Sequence, residues 1–261
     1  MALTFLGSLV GNWVLEYNFE AMSGHSKWST IKRQKEINDA KKGVVFTKLA
    51  RALTMAAKEG GLDPAMNMKL RFAVEKAKQA NMPKENIERA LRSAQGKLDN
   101  IIEVTYEGYG PSGVPVIVEA ATDNKNRTAQ EIKNLFERGG GTLGTPGSVA
   151  FQFERAGQLV VKRGSDAEGR MLELIDLGVE DLEEAEDGIE VYTKPEELFA
   201  TKQRLEGSGM EVGSAELIYR PKTNVEIRDE GVVSRIIKLL ENLDEHDDVQ
   251  KVYAGVDILT S

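Results

Sequence analysis

LVVKRGSDAEGRMLELIDLGVEDL, Leu159–Leu182, passes from an apolar extended run through a polar turn into an amphipathic segment, then back into an extended one. Leu159–Val161 predicts a strand. Ala167–Leu177 predicts a helix whose Met171, Leu174 and Ile175 recur at spacings of three and four and so share a buried face. Val179–Leu182 predicts a second strand, paired as a hairpin with Gly188–Tyr192. Pro195–Glu206 predicts a second helix, opened by Thr193, with Glu196 and Glu197 near the positive end of its dipole. Val212–Tyr219 returns as a strand, and Val149–Phe153 is extended ahead of the quoted stretch. Strand, helix, strand, strand, helix, strand is the order of a ferredoxin-like layer of sheet and helices.

The flanks carry a second set of such elements. Ile101–Tyr106 and Val114–Ala121 predict strands joined by a Gly-Tyr-Gly-Pro-Ser-Gly turn. Thr128–Arg138 predicts a helix capped by Asp123 or Asn126. Beyond Pro221 come a strand at Val225–Ile227, a helix at Val232–Leu243 and a last strand at Gln250–Val256. Residues 99–149 and 222–261 therefore predict one more domain of the same kind, interrupted by an inserted acidic domain at 150–221. The fold class expected is α+β: an N-terminal helical bundle and two α/β-sandwich (ferredoxin-like) domains, one inserted in the other.

The bundle, residues 23–98, is where the positive charge gathers. Ser23–Lys97 holds 17 Lys and Arg against 7 Asp and Glu, whereas Leu98–Ser261 holds 17 against 33. A net charge of −8 thus hides a cationic module joined to an anionic body. Ser23–Thr30 predicts an extended arm. A helix capped by Ser29 or Thr30 then carries Lys32, Arg33, Lys35, Lys41 and Lys42 and is closed by Gly43. Val44–Lys58, Asn67–Ala80 and a segment begun by Pro83 are better helices, each with an apolar face at helical spacing. The cationic end is expected to seek a polyanion, most plainly nucleic acid. The candidate contacts are His25, Lys27, Trp28, Lys32, Arg33, Lys35, Lys41, Lys42, Lys48 and Arg51. Trp28 either stacks on a base or packs on the bundle. Of the 17 bases 12 are Lys. Lysine acts as a point charge on phosphate, whereas the guanidinium fork reads guanine, so backbone or shape is the expected target.

Other function classes find little support. There are no cysteines and two histidines, His25 and His246, far apart in sequence. That removes thiolate metal sites and cysteine nucleophiles, and leaves no complete catalytic motif. Gly139–Gly144 fits G-x-G-x-x-G, but a helix precedes it and none follows, so it is read as a helix stop and flexible linker. Its open amides make Gly140 and Gly141, with Lys125 and Arg127, secondary contact candidates. The acids Glu180–Asp187 lack the spacing of a calcium loop and are read as a charged hairpin tip. No metal, cofactor, membrane contact or catalysis is expected, and the chain is expected to be a cytoplasmic monomer. Residues 1–22 carry neither the basic start of a secretory signal nor the length of a membrane span. They are expected to be a non-native or disordered extension, with Met22 the working start.

Met22–Trp28 (Met-Ser-Gly-His-Ser-Lys-Trp), Asn38–Gly43 and Phe46–Leu49 resemble the opening of the YebC/PmpR family. The resemblance continues through Tyr106–Pro111, Thr122–Thr128 and Gly144–Val149 and covers the chain from Met22 onward. Members often have a His where this chain has Arg33-Gln34, and an Asp where it has Pro146. The resemblance implies a three-domain arrangement and control of gene expression, either as a DNA-bound transcriptional regulator or as a translational activator gripping ribosomal RNA on the ribosome. A protein-interaction scaffold is the alternative from another class.

Overall fold

The structure is a computed structural model and describes residues 42–95, 101–164, 166–179, 181–185 and 188–259. Three helices open the described chain: α1 (Lys42–Gly60), α2 (Met68–Gln79) and α3 (Lys84–Gln95). Leu49, Leu53, Ala56 and Ala57 of α1 meet Leu70 and Ala77 of α2 and Ile87 and Ala90 of α3 in one small core. The predicted apolar faces are the ones buried. Asn67 caps α2 by accepting from the Leu70 amide, while its side-chain amide donates to the carbonyls of Ala56 (2.6 Å) and Gly61 (2.8 Å). One buried side chain thus ties the end of α1 to the start of α2. Asn81 makes the turn into α3 with φ 56°, a left-handed conformation Asn tolerates. Gly43 lies inside the first turns of α1 rather than closing a helix, since glycine there costs helix propensity without blocking it.

The first sheet begins with the hairpin β1 (Ile102–Tyr109) and β2 (Pro115–Thr122). Gly113 (φ 78°) and Ser112 (φ 59°) turn the chain between them. After α4 (Lys125–Arg138), the two-residue β3 (Thr142–Leu143) pairs back onto β1. Asn124 caps α4, in place of the Asp123 or Asn126 expected, because the helix starts three residues earlier than its apolar periodicity showed. The same sheet is completed from the far end of the chain, after β8 (Val225–Ile227) and α7 (Glu230–Asp244), by β9 (Val249–Ala254), giving the order β3-β1-β2-β9. Gly255 separates β9 from β10 (Val256–Ile258), which pairs with β8 in parallel, so the single last strand expected is two. Ile132 and Phe136 of α4 and Ile236, Leu239, Leu240 and Leu243 of α7 pack onto Val116, Val118 and Val252 of the sheet.

The second sheet is built wholly from residues 153–221: β4 (Phe153–Val161), α5 (Ala167–Asp176), β5 (Asp181–Ala185), β6 (Gly188–Thr193), α6 (Leu198–Gly207) and β7 (Val212–Pro221). Its antiparallel order β5-β6-β4-β7 is that of a ferredoxin-like sheet. Ala150–Gln152, expected to be extended, forms a 3-10 turn, and β4 starts after it. Leu174 of α5 is buried with Leu159, Ile189 and Leu205, whereas Ile175, expected beside it, is 54% exposed. A further 3-10 turn, Pro195–Glu197, enters α6 without a side-chain cap from Thr193. The two sheets meet through Ile117, Val149 and Phe153, with Tyr109, Tyr219 and Tyr253 around them. No helix among the described residues is long and apolar enough to cross a membrane.

Candidate nucleic-acid interface

His25, Lys27, Trp28, Lys32, Arg33, Lys35 and Lys41 lie outside the described residues. Lys42 is the first residue of α1, and its side chain also lies outside the description. Lys48 and Arg51 are one turn apart on α1, and both turn toward the first sheet. The Lys48 ammonium donates to the Asp244 carbonyl and stands 3.8 Å from its carboxylate. Arg51 donates to the carbonyls of Ala121 (3.1 Å) and Asp247 (3.0 Å) and forms an ion pair with Asp248.

Asp248 is the junction of the site. It is 2% exposed, at the turn between α7 and β9. One carboxylate oxygen takes Arg51. The other takes Arg127 at 2.9 Å and the Thr128 hydroxyl at 2.6 Å. The structure therefore joins a primary candidate, Arg51, to a secondary one, Arg127, through an acid that the sequence reading did not single out. The local signal was the run Asp244-Glu245-His246-Asp247-Asp248; nothing in it says which acid turns inward. Burial pushes the Asp248 carboxyl up, but the bonds from Thr128, Arg127 and Arg51 outweigh this and hold it well below the usual carboxylate range. Arg127 also pairs with Asp123 at 2.9 Å, and Lys125 stands exposed in the first turn of α4.

His246 and Glu131 approach the same carboxylate, with ligand-type atoms within 4.8 Å of one another. Both ring nitrogens of His246 are engaged. The His246 Nδ1 accepts from the Asp248 amide at 3.1 Å, leaving its Nε2 to donate to Glu131 at 3.0 Å. Arg51 and Arg127 supply the positive charge that faces the Asp248 carboxylate in this cluster.

The glycine-rich segment is equally occupied. The Gly140 amide donates to Glu137 (3.1 Å) and the Gly141 amide to Phe136 (2.8 Å), closing the end of α4. Gly140 has φ 77°, and a Cβ at Gly141 would collide with the Tyr109 carbonyl, so both positions require glycine. Downstream, the amides of Gly147, Val149 and Ala150 all donate to the Glu107 carboxylate at 2.7–2.8 Å. The segment read as a flexible linker, Gly139–Gly144, instead holds β3 paired to β1, and the loop after it folds around the chain's own anion. Burial raises the Glu107 carboxyl, and the three amides bring it below its ordinary value.

Elsewhere on the bundle, cations either dock or face solvent. On α2, Lys76 meets Glu216 at 3.7 Å, Glu75 meets Lys202 at 2.7 Å and Arg71 lies over the Phe199 ring at 5.0 Å. On α3, Lys84 and Arg92 share Glu88 and keep side chains 88% and 69% exposed. In the acidic hairpin Asp181 and Glu183 pair with Arg220, and Glu184 with Arg163.

Two family models match the chain. One is described as the TACO1/YebC protein N-terminal domain and matches residues 26–97; the other, the TACO1/YebC second and third domain, matches residues 101–256. A protein of Persephonella marina named "Probable transcriptional regulatory protein" is 47% identical over 241 residues, covering 91% of this chain and 96% of that protein. One of the same name from Pelotomaculum thermopropionicum is 46% identical over 242 residues, 91% and 99% of the two chains. The crystal structure of a conserved hypothetical protein, Aq1575 from Aquifex aeolicus, superposes with a TM-score of 0.80 at 43% identity, over 85% of this chain and 92% of that one.

Proposed function

The chain belongs to the TACO1/YebC family, and on that premise we propose that it is a cytoplasmic, non-enzymatic regulator of gene expression that binds nucleic acid through its N-terminal module. Names of its relatives carry the regulatory role. The module's reading as the binding end rests on one observation: the chain is divided into a cationic segment, 17 bases against 7 acids over residues 23–97, and an anionic remainder. Residues 23–98 grip phosphate. The acidic sheets, residues 99–149 with 222–261 and the insertion 150–221, confine contact to one end by repelling the same polymer. Binding to DNA as a transcriptional regulator is the first reading. Attachment to ribosomal RNA as a translation factor is the second, favoured by the 12 Lys among the 17 bases, a composition suited to phosphate rather than to base edges.

The test is a salt titration of the full chain against duplex DNA, ribosomes and an acidic peptide. With about six phosphates neutralised, log K falls against log salt with a slope of roughly −5. The variant Lys32→Ala/Arg33→Ala/Lys41→Ala/Lys42→Ala should lose most binding and flatten the slope. Ribosomes that displace DNA at physiological salt would decide for translation. Preference for the acidic peptide would decide for a protein-binding scaffold, and unchanged affinity of the variant at low salt would remove the patch from the site.

A further inference from the structure

We propose that the acidic turn closing α7, Asp244–Asp248, is an internal competitor for nucleic-acid phosphate: it clasps Lys48 and Arg51 of α1, and a phosphate polymer gains those two side chains when the clasp opens. The proposal rests on the nucleic-acid reading above and adds to it an autoinhibitory contact.

The acceptors that Lys48 and Arg51 meet are carboxylate and carbonyl oxygens, and the carboxylates offer the anionic oxygens that a phosphate backbone also presents. Their side chains are 16% and 23% exposed, so in the closed form they have little surface to offer a polymer. Glu241–Asp248 places five acids within eight residues, opposite a cationic helix. The turn is thus a short polyanion supplied by the chain itself.

Packing makes the contact separable. Among the described residues, none of α1, α2 or α3 belongs to the apolar core beneath α4 and α7. A cleft of about 860 Å³ runs between α1, α2, β2, β7 and β9, so the bundle bridges the sheets with open space beneath it. At this edge Lys48 and Arg51 make ionic and hydrogen-bonded contacts, and salt weakens contacts of that kind where solvent reaches them.

The junction also tolerates the loss of one partner. Stripping a buried carboxylate of its only cation is costly. Asp248 would keep Arg127 and Thr128 after Arg51 leaves, and these hold its second oxygen at 2.9 and 2.6 Å. Arg51 passes from one carboxylate and two carbonyl oxygens to the oxygens of a phosphate. The second attachment differs: Phe72 of α2 packs against the core of the inserted sheet, which supplies a pivot.

The chain has no cysteine, so a clasp-specific crosslink can be introduced cleanly. In the full chain, Lys48→Cys/Asp244→Cys would be joined with a short bismaleimide and compared with the same variant capped by a monofunctional maleimide. The probes are a labelled DNA duplex and a labelled RNA hairpin. The crosslinked form should bind at least about tenfold more weakly than the capped form, and Asp244→Asn/Asp248→Asn, with its fold checked by circular dichroism, about tenfold more tightly than wild type. Equal affinity of crosslinked and capped forms overturns the clasp while the nucleic-acid reading stands. A wild-type chain that binds neither probe at low salt overturns both.

Discussion

Two buried carboxylates show how single residues organise this chain. Glu107 lies on β1, and its carboxylate gathers the amides of Gly147, Val149 and Ala150. Replacing it with Gln keeps the size but removes the charge and one acceptor oxygen, leaving a buried amide donor underused. Glu107→Gln should cost about 1–3 kcal/mol and raise hydrogen exchange at those three amides first. Its carboxyl and that of Asp248 are both held below their ordinary values of 4.5 and 3.8. The stability they supply is therefore complete above the unfolded-state values and is lost as pH falls through the folded ones. Between about pH 5 and 2 the wild type should lose stability steeply, and Glu107→Gln and Asp248→Asn should each flatten that slope, as followed by urea unfolding at stepped pH. Slopes unchanged from wild type in both variants would mean that other carboxylates govern acid unfolding. Neither role was legible in the sequence. The partners of Glu107 lie some 40 residues away, and those of Asp248 as far as 197, with no local pattern to mark them.

Elements were legible wherever one face alone decides burial. The apolar spacing in Val44–Lys58 and Asn67–Ala80 located α1 and α2, Val225–Ile227 is β8 as read, and the six-element order of the second sheet followed from strand and helix periodicity. Misreadings fall where a neighbour outside the element decides. Asn124 caps α4 because Thr122 and Thr128 bond each other at 2.8 Å and fix the helix start there. Ile175 stays exposed because α5 has one layer to pack on and Leu174 fills it. The glycine-rich segment looked like a linker because glycine signals freedom, whereas here it permits close approach: a Cβ at Gly141 would collide with the Tyr109 carbonyl oxygen. The bundle has a small core built mainly of Leu and Ala. Leu53 is fully buried there, and Leu53→Ala should cost about 2–5 kcal/mol. In calorimetry that loss should shift an early bundle transition and leave the sheets' transition in place; a single cooperative peak moving as a whole would show that the three cores unfold together.

At the scale of the molecule, the bundle is fastened in two chemically different ways, and salt should separate them. The α1 edge rests on Lys48 with Asp244 and on Arg51 with Asp248. The α2 edge has ionic contacts as well, Lys76 with Glu216 and Glu75 with Lys202, but adds Phe72 against an apolar core and Gln79 bonded to the Gly213 carbonyl at 3.1 Å. Raising salt toward 1 M shortens the screening length to about 3 Å, which weakens exposed ion pairs and leaves apolar burial intact or strengthened. The bundle should then swing about α2 rather than depart. Paired spin labels on the full chain provide the measurement, one pair spanning positions 48 and 244 and a second spanning 79 and 213. Because labelling position 48 removes its cation, the first pair should be mirrored by labels at 45 and 245, which flank the contact and leave Lys48 in place. In high salt the distances across the α1 edge should lengthen and broaden, while the distance across the α2 edge keeps its low-salt width. Equal broadening at both edges would mean that Phe72 contributes no hinge and that the bundle is held by charge alone. Should neither edge move, burial of Asp248 outweighs screening, and a phosphate polymer would have to reach Arg51 by replacing the carboxylate in place.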